Sequence, residues 1–183
     1  MWKLSYPVGP RSWGRALGAF ADVPAAVLGL LEGRPDADWH RAPPGRWSPA
    51  QIVEHLAISL DWSGRTFAER RARGEMTRRP RGVVARSGYF LIIRWGWFPP
   101  GFNAPEPTRP GPRPDPAAVA RRFREGHARF LALEPALVPA RRSDLFVKHP
   151  VIGDLTFEEW QRFHVVHCAH HAKQLRARLA HGS

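Results

Sequence analysis

Between Pro99 and Pro116 the chain reads PPGFNAPEPTRPGPRPDP, and no helix or central strand can run through it. Proline lacks the amide hydrogen that a helix or a sheet ladder uses, and its ring clashes with the preceding helical turn. From Pro105 onward every second or third residue is proline, so the segment reads as an extended connection. A connection of this length lets the helices before and after it lie parallel, where a short loop would fold them into a hairpin.

The flanking segments carry helical signals. Residues 12–33 place Leu17, Phe20, Val23, Leu28 and Leu31 at loosely helical spacing, with Pro24 as a kink and Gly33 as a stop. The second helix is expected from Pro49 to Arg73, because Ser48 and Gln51 form a capping box and Pro49 occupies the first helical position. A short amphipathic segment, about Val83 to Phe98, precedes the crossover. Asp115 and Pro116 then open a third helix with Val119, Phe123, Phe130 and Leu133 on one face. Thr156 and Glu159 make a second capping box, and the fourth helix is expected to continue to about Ala180. No strand pair, internal repeat or glycine-rich phosphate loop is read. The expected fold is all-α: a four-helix bundle with a long crossover between helices two and three and a short extra helix, forming one domain over residues 1–183.

Four of the nine histidines fall between His164 and His171, inside the fourth helix. At 3.6 residues per turn, His164, His167 and His171 lie within an arc of about 60°, and Gln174 joins them, whereas His170 sits at the edge. An i,i+4 pair such as His167 and His171 can offer two imidazole nitrogens to one cation, but it is equally a polar helix face. His55 lies on the mostly apolar stripe Ile52, His55, Leu56, Ser59, Trp62 of helix two. Three inward-facing imidazoles without a common partner would leave donors and acceptors unpaired at a few kcal/mol each.

The segments WSPAQIVEHL and HPVIGDLTFEEWQRFHVVHCAHHAKQL resemble the DinB/YfiT-like superfamily of bacterial four-helix bundles, and in particular a branch known only as a domain of unknown function. The resemblance covers helices two and four. It implies a divalent metal held by one His of the helix-two motif and an H-x-x-x-H pair on the last helix, which are His55, His167 and His171 here; Gln174 matches the Gln that usually follows. It also implies thiol-dependent isomerase or transferase chemistry on a small-molecule substrate. His164 and His170 crowd the motif as alternative ligands, and the Arg- and Pro-rich stretch from Arg65 to Pro116 has no matched counterpart.

Three neutral imidazoles leave a four-coordinate ion one open position, the form of a catalytic site. Imidazole ligation suits Zn, Ni, Fe or Cu; Zn is the default, and Ni or Fe fits as well. Such a metal could stabilise the thiolate of a low-molecular-weight thiol, or lower the pKa of water for hydrolysis. A non-catalytic metal- or anion-binding module is the alternative. No catalytic residue is identified: Glu54 and Asp61 read as solvated helix carboxylates and Cys168 as a packing residue. Trp62, Trp95, Trp97 and Phe98 read as core, or as the wall of an apolar pocket. Arg65, Arg94 or Arg162 could hold the carboxylates of a thiol cofactor.

Composition narrows the partners. The net charge is +12, but the arginines are scattered and accompany no groove-reading or base-stacking motif, so no specific nucleic-acid partner is expected. The most apolar run, YFLIIRWGWF, is too short for the roughly 20 residues of a membrane span. One cysteine excludes an internal disulfide framework, and the N-terminal stretch lacks a signal-like apolar core. A cytoplasmic protein is expected, with a homodimer allowed for.

Overall fold

The computed structural model describes residues 20–73, 79–98, 103–134 and 146–180. Among the described residues there are six α-helices: α1 (Val23–Leu28), α2 (Asp36–His40), α3 (Pro49–Arg73), α4 (Val83–Tyr89), α5 (Pro116–Leu131) and α6 (Phe157–Ala180). α1, with Phe20 and Ala21 just ahead of it, then α3, α5 and α6 form the four-helix bundle. Among the described residues, no helix is long and apolar enough to cross a membrane.

The two predicted capping boxes form. Ser48 N donates to Gln51 Oε1 at 3.0 Å and Gln51 N to Ser48 Oγ at 3.3 Å, which fixes the start of α3. At α6, Thr156 N donates to Glu159 Oε2 at 2.9 Å and Glu159 N to Thr156 Oγ1 at 3.2 Å. Asp115 Oδ1 accepts from Ala118 N at 2.7 Å and opens α5. Four phenylalanines in the core, Phe20, Phe67, Phe123 and Phe130, are fully buried, together with Leu56, Leu60 and Leu175.

The first helix differs from its sequence reading. Leu17 and the rest of residues 12–19 lie outside the described residues. A turn at Asp22 separates Phe20 from α1, so Pro24 occupies the first turn of a new helix instead of kinking a continuous one. Gly33 ends the following turns with φ 69°, a conformation that costs glycine nothing. The amphipathic segment before the crossover is α4 followed by a π-helical turn, Phe90–Arg94.

The expectation of no strand pair is overturned. Val147–His149 (β1) and Gly153–Leu155 (β2) pair antiparallel, with Val147 opposite Leu155 and His149 opposite Gly153. Strands of three residues are too short to display an alternating pattern, and the hairpin is held by its neighbours. Trp160 Nε1 donates to the Val147 carbonyl at 3.0 Å, Arg79 pairs with Asp154, and Arg81 bonds the Asp154 carbonyl. Gly153 has φ 81°, a left-handed conformation that glycine adopts without steric cost.

Over residues 103–115 the crossover is irregular chain with one 3₁₀ turn, Glu106–Thr108. It lies along α3: Gln51 Nε2 donates to the Gly111 carbonyl at 3.0 Å, and Gly111 N donates to Glu54 Oε2 at 2.7 Å. This docking sets the Thr108 carbonyl beside His55.

Candidate metal centre

His55 projects from α3, and His167 and His171 project from successive turns of α6. Their Nε2 atoms converge: His55 to His167 is 3.0 Å, and His171 to His167 is 3.1 Å. The candidate ligand atoms of all three lie within 4.8 Å of one another, and each side chain is buried. Tetrahedral coordination at Zn–N distances of 2.0–2.1 Å would set ligand nitrogens about 3.3 Å apart, close to what is seen.

The far sides of the rings decide which nitrogen is free. His55 Nδ1 donates to the Thr108 carbonyl at 2.7 Å, so its Nε2 carries the lone pair. Gln174 Oε1 accepts from His171 Nδ1 at 3.0 Å, and the amide nitrogen of Gln174 donates to His170 Nε2 at 3.0 Å. His171 is therefore also a lone pair at Nε2. His167 Nε2 faces both and can carry at most one hydrogen, so at least one of the two N···N contacts has no proton to bridge it. His167 Nδ1 is buried with no hydrogen-bond partner among the described residues.

Protonation does not resolve the conflict. Burial holds His171 down at about 3, helped by the neighbouring His55 and His170. His167 is pushed well below its ordinary value by burial and by His171 and His55. His55 is lowered by burial against the opposing effect of its Thr108 bond. Three neutral imidazoles with converging lone pairs fit a divalent cation, which would turn the unbridged contact into ligation.

The ring of His167 packs against both Phe163, with centroids 5.1 Å apart, and Phe98 at 5.5 Å. Trp47, which the sequence reading did not single out, lies 5.0 Å from His55 and 6.4 Å from His171. The three histidines sit in the wall of a 740 Å³ cavity. Trp62, Trp160, Phe98 and Phe163 supply apolar wall, whereas Trp95 and Trp97 are exposed.

Other expectations are corrected. His164 is fully buried and bonds Ser63 Oγ at 2.8 Å, away from the trio. Glu54 accepts from the Gly111 amide and so anchors the crossover. Asp61 is bridged by Arg122 at 3.0 Å and Arg129 at 2.5 Å, which tie α3 to α5. Cys168 is buried and its thiol is pushed well up by burial, which fits packing. Arg65, Arg94 and Arg162 do not line the cavity; Arg46, Arg109 and Arg178 do. Arg178 had a signal, since it follows His171 by seven residues on the same face of α6. Thr108 had none, because its carbonyl is a backbone group placed by the crossover.

The model of the DinB superfamily matches residues 19–175. The chain belongs to the DinB superfamily. Among solved structures, this DinB-superfamily chain is similar to YfiT from Bacillus subtilis, described as "a probable metal-dependent hydrolase with an unusual four-helix bundle topology". The two share 20% identity with a TM-score of 0.61, over 98% of this chain and 94% of that one. At that identity the likeness shows the fold. No curated protein matches the chain.

Proposed function

We propose that this chain, as one DinB-superfamily domain, is a metal-dependent enzyme acting on a small molecule, with His55, His167 and His171 as the ligands of a divalent cation. We further propose thiol-dependent transfer or isomerisation as its reaction type. The observation that carries the reading is the convergence of three Nε2 atoms on a cavity, while His164 on the same stripe is turned onto Ser63.

A divalent cation there, Zn by default with Ni or Fe also suited, would lower the pKa of a thiol or a water that reaches its open position. The protein's own share is positioning. Thr108 and Gln174 hold two rings in the ligating tautomer, and Trp47, Phe98 and Phe163 shield the ligands from solvent. Neither Asp nor Glu is among the described residues lining the cavity. His149, which does line it, accepts two backbone N–H bonds at Nδ1 and is held at about 3 by burial. His170, the other histidine of the wall outside the trio, is also lowered by burial and by Lys173, so among the described residues lining the cavity no strong base stands ready at neutral pH. A thiol loses its proton readily on coordination, whereas hydrolysis benefits more from a base. Hydrolysis is the second reading, favoured by the likeness to YfiT.

The test is metal analysis of the purified protein, then Co²⁺ substitution and addition of low-molecular-weight thiols. The expected results are about one metal per chain, lost on His55→Ala, His167→Ala or His171→Ala, and a sulfur-to-metal charge-transfer band that His171→Ala lacks. Full metal retention in all three variants would sink the ligand assignment. A spectrum changed by esters or simple anions but by no thiol would replace thiol chemistry with hydrolysis.

A further inference from the structure

We propose that the cavity over the three histidines takes an anionic small molecule, a carboxylate or phosphate group on an apolar body, and that Arg46 and Arg178 bind the anionic group. The proposal rests on the reading of this cavity as the substrate site and adds the substrate's charge and the residues that recognise it.

The cavity is charged with one sign only. Arg46, Arg109 and Arg178 line it, and none of its described lining residues is acidic. Some arginines elsewhere pair with carboxylates: Arg79 with Asp154, and Arg122 and Arg129 with Asp61. Among the described residues, none of the three cavity arginines makes an ion pair. Arg178 uses only its Nε, donating to the Trp47 carbonyl at 3.1 Å, so the rest of its guanidinium fork makes no bond to a described residue. Arg46 lies near enough that its charge, after burial, lowers the pKa of Arg178.

Two like charges held together without a counter-ion favour an oxyanion between them, which a guanidinium binds through two parallel N–H bonds. A cleft lined by one sign of charge also draws in oppositely charged solutes. Trp47 adjoins Arg46 in the chain and Arg178 through its carbonyl, while its ring reaches His55 and His171. One tryptophan thus links the arginines to the histidines. A ligand whose anionic group meets Arg46 and Arg178 would lay its body against this ring and the walls formed by Trp62, Phe98, Trp160 and Phe163.

Calorimetric titration of the full chain, stripped of metal with a chelator, tests this with phenyl phosphate, benzoate and the neutral analogue benzyl alcohol. Phenyl phosphate, benzoate or both are expected to bind at least tenfold more tightly than benzyl alcohol, with an affinity that falls as salt rises; which of the two binds better distinguishes phosphate from carboxylate. Arg46→Gln combined with Arg178→Gln should lose that tenfold preference, while Arg65→Gln, outside the cavity, should keep it. Arg46→Gln alone and Arg178→Lys, which keeps the charge but loses the guanidinium fork, serve should the double variant not fold, and each should weaken oxyanion binding several-fold. Unchanged binding in the folded variants, or no preference over benzyl alcohol, overturns the proposal. Oxyanion binding that appears only after metal is restored also overturns it and leaves the metal reading standing. Arginine-dependent binding in a protein that takes up no metal supports the anion site and sinks the metal reading instead.

Discussion

His171 is oriented by a relay of two side chains. It donates from Nδ1 to Gln174 Oε1 at 3.0 Å, and Gln174 is itself held in that sense by donating to His170 Nε2 at 3.0 Å. An acceptor on the far nitrogen fixes the tautomer and raises the basicity of the ligating one, and losing such a partner typically costs 10–100-fold in metal affinity. Gln174→Ala is therefore expected to weaken the metal by about that factor, measured by competition with a chromophoric chelator. Gln174→Glu, which keeps the acceptor and adds charge, should bind at least as tightly as the wild type. Equal affinities for Ala and Gln would show that His171 needs no orientation. His55 has its counterpart in the Thr108 carbonyl. The sequence could offer Gln174, which lies on the histidine stripe, but not Thr108, since a backbone acceptor leaves no mark in side-chain identity.

At the scale of elements, the crossover and the α3–α5 contact set where the histidines stand. Both long helices were legible because their starts are written locally, in Ser48 with Gln51 and Thr156 with Glu159, and because His55, His167 and His171 each lie on a face shared with core residues. The β1–β2 hairpin was not, since three-residue strands depend on Trp160 in the next helix and on Arg79 and Arg81, far earlier in the sequence. Glu54 and Asp61 were misread for the same reason: a carboxylate on a helix looks solvated until its partner from another element is known. Asp61 is mostly buried, whereas Arg122 and Arg129 are about half exposed, so solvent screens the pairs and each should contribute roughly 0.5–1 kcal/mol. Asp61→Ala is expected to lower unfolding stability by about 1–2 kcal/mol in a salt-dependent way, with metal stoichiometry unchanged. A loss that does not shrink in high salt would mean that Asp61 acts through packing.

Over the whole molecule, the most unusual property is the number of histidines kept neutral by burial. His149 and His164 are both held at about 3, chiefly by burial, and His127 is lowered for the same reason. In the unfolded chain each returns to its ordinary value of about 6.5. The folded protein thus binds fewer protons than the unfolded one between these limits, and acid favours unfolding. The stability that neutral burial supplies is fully present above pH 6.5 and is lost as pH falls from there towards 3. At pH 5 each strongly lowered histidine should cost about 2 kcal/mol relative to pH 7. Asp154 adds little in this window: burial works against its ionisation, the bonds and charge of Arg79 outweigh that, and its pKa ends below the ordinary carboxylate range. Denaturant titrations of metal-stripped protein at pH 7.5, 6 and 5 should therefore show stability falling steeply below about 6.5. His164→Gln can keep a hydrogen bond to Ser63 but carries no titrating proton, so its curve should be shallower by the share of one histidine. Equal stability at pH 7.5 and 5 would mean that these imidazoles are protonated in the fold or that the core opens to admit water.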